Sequence, residues 1–285
     1  MIHTSTQLKA LVRNMSKGDS TQAQIIIRNY MMERFLERLA QSDYRNNFIL
    51  KGGTLVYAMV GLDVRSTLDI DTTIRGFSLT VDDVSNIVGE VASIRLEDGV
   101  EFKITRINEI MDEAEYPGIR VMMEAKLDTM RTPLKLDIST GDVITPREIS
   151  YQFKLMFEDR TINILAYNLE TVLAEKLETV LSRGYVNTRM RDFYDLHILQ
   201  HDLSAAFIPE WLRGAFAATC AKRGTKFSYE EGTLILQEIR QSKDMEKQWS
   251  SYQRKYAYAA DIPWEIVMDS VTVLYRIAGE KETGR

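Results

Sequence analysis

The chain has 285 residues, 45% apolar and 27% charged, with no repeated Gly, Ser or Pro tract, which is the makeup of a folded protein too long for one core. Its single cysteine, Cys220, excludes an internal disulfide and any multi-cysteine zinc or iron–sulfur site, and no run of about 18 apolar residues marks a membrane span. A net charge of −5 speaks against coating nucleic acid through a general positive field, and without a basic, then apolar, leader the expectation is a cytoplasmic protein.

Apolar residues recur at helical spacing over residues 21–40 (Ile25, Ile26, Tyr30, Met31, Phe35, Leu39), which predicts an amphipathic helix. Phe48, Ile49 and Leu50 then form a short apolar run closed by Gly52 and Gly53, and Thr54 is positioned to cap a helix running to residue 60. Residues 68–74 alternate, putting Leu68, Ile70, Thr72 and Ile74 on one face of a predicted strand and Asp69, Asp71 and Thr73 on the other. Residues 134–139 repeat the pattern, with Lys135, Asp137 and Ser139 opposite Leu134, Leu136 and Ile138. A helix over 81–95 and strands over 100–108 and 118–128 lie between them. The sum is an α+β fold, a mixed sheet with flanking helices.

From Asn168 onward the pattern is helical, with elements predicted over 169–182, 190–201, 209–223, 229–241, 243–259 and 263–278. A boundary within 158–168 gives a first domain of residues 1–162 and a helical domain of residues 163–285. Basic residues gather over 183–191, around Lys222, Arg223 and Lys226, and over 243–255. They read either as solvated helix faces or as a local groove for phosphates.

Asp69 and Asp71, two residues apart on a strand, project to one face about 7 Å apart. Side by side they repel each other and lose hydration, which a divalent cation reverses. All-oxygen donors favour Mg2+ or Mn2+ over zinc. Asp137 on a second alternating strand supplies a third carboxylate if the two strands pair. Three acids sharing two cations suit nucleotidyl and phosphoryl transfer; the alternative is a surface strand with Asp137 neutralised by Lys135. Lys51-Gly52-Gly53-Thr54 is the matching phosphate element, with backbone N–H groups opening a helix and a threonine hydroxyl, although its spacing is not that of a P-loop.

Lys176 falls on the apolar stripe of its helix among Val172, Leu173, Leu177 and Val180, so it faces inward, either snorkelling out or meeting a triphosphate. Asp192 and Asp195 share a helical face with Leu196 and Leu199; one of them could hold Lys176, and Arg189 and Arg191 could grip phosphates. His197 and His201 lack the glutamate of a zinc-protease motif. Asp63, Asp69 and Asp71 fail as a calcium loop, and no G-x-S-x-G nucleophile is present.

In order, Phe48-Ile-Leu-Lys-Gly-Gly-Thr54, Arg65-Ser-Thr-Leu-Asp-Ile-Asp71, Lys135-Leu-Asp137, Ala174-Glu-Lys176 and Arg191-Asp-Phe-Tyr-Asp-Leu196 resemble the AbiEii/AbiGii toxin family. Its members are polymerase-β-like nucleotidyltransferases of toxin–antitoxin and abortive-infection systems, encoded beside a winged-helix antitoxin. The resemblance covers roughly residues 20 to 200. It implies that Gly53 and Thr54 form the phosphate element, with Arg65 and Thr67 preceding a metal pair, Asp69 and Asp71. It further implies Asp137 as the third acid, and Lys176 and Asp192 as the lysine and aspartate required for toxicity. It also implies two Mg2+ ions, an NTP substrate and transfer to RNA at the tRNA 3′ acceptor end. Transfer to a protein hydroxyl, or NTP binding without turnover, are the alternatives.

Overall fold

Helix α1 (Ser5–Met15) starts from a capping box in which the Thr4 hydroxyl accepts the Gln7 N–H, and α2 (Ser20–Gln41) starts where the Asp19 carboxylate accepts from Thr21 and Gln22. The computed structural model describes residues 2–62, 64–111 and 117–279; Asp63 lies outside them. Helix α1 was not predicted, because Leu8 and Val12 are its only buried large apolar residues and leave too short a stripe to read.

Helix α2 buries the expected Ile26, Tyr30, Met31, Phe35 and Leu39, but also Glu33, Arg34, Glu37 and Arg38. Arg38 grips Asp98 through two bonds of 2.7 and 2.8 Å and donates to the Val100 carbonyl at 2.7 Å. Arg34 lies between Glu37 at 2.9 Å and Glu158 at 3.1 Å, and Arg160 meets Glu37 at 2.5 and 3.0 Å. Buried charge persists only when paired in this way.

The first compact unit is the chain up to Asp142 together with Ile149–Ala166. Its centre is a seven-stranded sheet of β1 (Phe48–Lys51), β2 (Ile70–Ile74), β3 (Val100–Met111), β4 (Pro117–Leu127), β5 (Met130–Thr140), β6 (Ile149–Lys154) and β7 (Thr161–Ala166). They lie in the order β3-β4-β5-β2-β1-β7-β6. The sheet is mixed: β1 runs antiparallel to β2 but parallel to β7, and β2 runs parallel to β5. Helices α3 (Gly52–Val60) and α4 (Val81–Ser93) flank it. The chain is therefore α+β, as expected. Strands β6 and β7 were not predicted, since β6 buries only Phe153 and β7 is a six-residue alternation inside the segment read as a boundary.

The second unit joins Val143–Glu148 to the chain from Tyr167 on. It is built of α5 (Leu169–Arg183), α6 (Met190–Leu203), α7 (Pro209–Arg223), α8 (Tyr229–Gln241), α9 (Lys243–Lys255) and α10 (Trp264–Gly279). Asn168 ties its start: the side-chain oxygen caps α5 at Thr171 N–H, and Nδ2 donates to the carbonyls of Thr145 and Arg147. Helix α9 stops at Lys255 rather than at 259, because Tyr256 turns extended and a single 3-10 turn, Ala257–Ala259, follows. Phe193, Trp249, Trp264 and Tyr252 fill the core there. Among the described residues no helix is long and apolar enough to cross a membrane.

Candidate active site

The parallel pairing of β2 with β5 sets Asp71 opposite Asp137, at the interstrand spacing of about 4.8 Å. The antiparallel pairings on either side place Lys51 beside Asp71 and Arg120 beside Asp137. Register partners point to one face, so four strands carry a row of charge in the order Arg120, Asp137, Asp71, Lys51. Asp69 is not on the strand, contrary to expectation. It lies in a bend just before β2, as does Leu68, which was expected on the strand face with Ile70 and is 38% exposed.

The glycine turn sits directly over Asp71. Gly52 has φ +60°, and a Cβ there would come within 2.8 Å of Asp71 Cβ and Cγ. Side chains rarely adopt that backbone, and the carboxylate leaves no room for one. Gly53 N–H donates to Asp71 Oδ2 at 3.1 Å, so the amide expected to face a phosphate is engaged by the carboxylate. The helix begins one turn earlier than expected, at Gly52, and Thr54 lies inside it. The Thr54 hydroxyl donates to the Asp69 carbonyl, as does that of Thr67 at 3.2 Å. Arg65 is 1% exposed, and its guanidinium lies 3.1 Å from where a Gly53 Cβ would stand. These residues brace the loop that carries Asp69.

Burial, then the neighbouring Asp137 and Asp69, push the Asp71 carboxyl up to about 6, opposed by the Gly53 N–H and Lys51. The other two acids are held by cations. Arg120 grips Asp137 at 2.8 and 2.9 Å, and Lys135 reaches Asp69 at 2.6 Å and Asp137 at 3.7 Å. Neutralisation of Asp137, which the alternative reading gives to Lys135, is thus mainly the work of Arg120. Among the described residues no three acidic, imidazole or thiolate groups are already gathered around one point. The donor set still suits a hard divalent cation: oxygen ligands only, one of them buried and reluctant to ionise beside two like charges.

In the helical unit Lys176 points inward, its Nζ 2.9 Å from Asp192 and 2.7 Å from Asp195, and Asp195 is fully buried. Arg189 adds a contact to Asp192 at 3.2 Å. The ammonium expected to await a triphosphate is thus already set between two carboxylates. Arg191 lies over the Tyr256 ring and bonds its hydroxyl at 2.9 Å. His197 is buried against Ser270, 2.8 Å away, while His201 turns to Asp202.

Sequence reasoning missed Arg120 and the Lys51 cluster, in which Nζ meets Asp142 at 2.5 Å and Ser139 at 2.7 Å. The Arg120 signal was present: residues 118–128 were a predicted strand, and pairing it with 134–139 by a tight turn puts Arg120 opposite Asp137. Asp142 carried none, because it follows the strand in a loop.

Residues 34–270 match the family described as nucleotidyl transferase AbiEii toxin, type IV toxin–antitoxin system. A crystal structure from H. pylori, described as a candidate nucleotidyltransferase, superposes with a TM-score of 0.53 at 18% identity, covering 90% of this chain and 95% of that one. A second Helicobacter pylori structure, of JHP933, gives a TM-score of 0.47 at 17% identity, covering 90% and 92%. The comparison with curated proteins gave no match. At 18% identity the first of these structures speaks for the fold alone, and the family match, which spans most of the chain, supplies the activity. The chain belongs to the AbiEii nucleotidyl transferase toxin family of type IV toxin–antitoxin systems.

Proposed function

We propose that this nucleotidyltransferase toxin moves a nucleoside monophosphate from an NTP to an RNA 3′ end, that of tRNA foremost, and so blocks translation. The observation that carries the reading is Asp71 held beside Asp137 beneath the Gly52-Gly53 turn. Asp69, Asp71 and Asp137 would hold two Mg2+ ions, or Mn2+. Bound there, such cations lower the pKa of the attacking hydroxyl and offset charge on the departing pyrophosphate.

The chain's own part is positioning. The RNA 3′ oxygen bonds to the α-phosphorus as the bond to pyrophosphate breaks, and an in-line approach requires both reactants to be fixed beforehand. Gly53, Thr54, Arg65 and Thr67 give the loop its shape. Within the helical unit, Lys176 and Arg191 are the side chains assigned to phosphate. Asp192 and Asp195 fix the direction of the Lys176 ammonium. The partner expected of a type IV system is an antitoxin, here proposed to be a winged-helix protein encoded in the neighbouring reading frame.

Incubation with α-labelled NTP and cell lysate tests the reading. Label in tRNA that resists protease, yields to RNase, needs Mg2+ and vanishes with Asp71→Asn supports it. Label that resists RNase and yields to protease would assign a protein acceptor instead.

A further inference from the structure

We propose that the groove between the first turn of α6 and the outer face of α9 binds a single-stranded polynucleotide, its phosphates on Lys247 and Lys255 and its bases against the Arg191–Tyr256 pair. The inference deepens the RNA reading above and rests on it. The groove has a volume of 670 Å3, within the range of ligand-holding clefts.

Lys247, Ser251 and Lys255 line the groove and recur every fourth residue, so they share one face of α9. Eight residues of helix separate the two ammonium-bearing positions by about 12 Å, which suits a strand with successive phosphates better than one mononucleotide. Lys247 contacts Asp244 at 3.3 Å with both side chains largely exposed, a pair too weak to compete with a phosphate. Among the described residues lining the groove Asp192 is the sole acid, and its carboxylate is held by Lys176 and Arg189. The groove is therefore positive in a chain of net charge −5.

The aromatic part separates nucleic acid from an acidic peptide. Arg191 sits 5.4 Å over the Tyr256 ring while its Nη2 bonds the Tyr256 hydroxyl at 2.9 Å. Lys255 lies over the same ring, and Tyr258 stacks on it with centroids 5.3 Å apart and planes at 21°. A guanidinium bonded to the Tyr256 hydroxyl beside that ring offers a π-surface, which bases use and aspartate or glutamate side chains do not.

Fluorescence anisotropy with a short 5′-labelled single-stranded RNA, read without NTP across a salt series, tests the groove. The Lys247→Gln/Lys255→Gln double variant is expected to lower the slope of log K against log salt by about 1.4, at ~0.7 per phosphate. Tyr256→Leu is expected to weaken binding by about fivefold or more at every salt. Far-UV circular dichroism and thermal unfolding confirm that each variant folds. Unchanged affinity and slope in both variants would overturn the proposal, as would displacement of the RNA by polyglutamate at equal charge concentration. Because the readout needs no transfer, unchanged slopes sink the groove while leaving nucleotidylation standing, and absent nucleotidylation leaves the slopes to be read on their own.

Discussion

Arg120 stands directly across from Asp137 in the β4–β5 register, and its guanidinium holds both carboxylate oxygens at 2.8 and 2.9 Å. A cation bound by Asp137 has to compete with that grip, as it does with Lys135 at Asp69. Arg120→Gln should therefore raise the unfolding temperature gained on adding Mn2+, compared with the parent protein. Differential scanning fluorimetry in a Mn2+ series checks this, and equal shifts in the two proteins would remove Asp137 from the cation site.

Gly52→Ala should destabilise the first unit and abolish transfer. The left-handed backbone costs a side chain about 1–3 kcal/mol, and the added methyl meets Asp71 as well. Gly61→Ala is the control: its φ is +93° but nothing lies within 4 Å of the new Cβ. Urea unfolding of the two variants should rank Gly52→Ala as the more damaging.

Removing Lys176 leaves Asp192 and Asp195 without their shared ammonium in a buried setting. Lys176→Met should cost on the order of 3–5 kcal/mol, the usual penalty for breaking a buried pair. The triple variant Lys176→Met/Asp192→Asn/Asp195→Asn should recover much of that stability but no transfer. If transfer returned with stability, Lys176 would serve packing alone.

Glu33 gives the protein a pH dependence away from the candidate site. Burial raises its carboxyl to about 7 from an ordinary 4.5, against bonds from Tyr57 Oη and the Met156 N–H and the nearby Arg34, with Glu158 adding to the rise. A raised acid stabilises the fold fully below its unfolded value and loses that contribution as pH climbs through the folded one. Stability should fall between pH 4.5 and about 7, by an amount on the order of 3 kcal/mol. Glu33→Gln should flatten this slope in denaturant titrations at stepped pH, and an unchanged slope would assign the titration elsewhere.

Much of this was legible in the sequence, for reasons visible in particular residues. The helical half was read nearly to its ends because stripes such as Val172, Leu173, Leu177 and Val180 persist over several turns and caps mark their starts. Asp71 and Asp137 could be paired in advance because both sit on alternating strands. Asp69 was misplaced because alternation alone does not tell a strand from the bend leading into it. Glu33, Arg34, Glu37 and Arg38 read as a polar helix face, and their burial depends on Asp98, Glu158 and Arg160, partners about 60 to 125 positions away. Pairing between distant charges leaves no local period to find.

The late arrival of β7 has a consequence for synthesis. β1 lies between β2 and β7, so Ile49 and Leu50 gain their second hydrogen-bonded neighbour only when Leu165 and Ala166 emerge. Until then a nascent chain exposes an open strand edge next to Lys51, the kind of edge that captures other polypeptides. A chain cut short before that point is expected to aggregate rather than to act as a smaller toxin. Chaperone dependence should peak in the window between the emergence of β5 and that of β7.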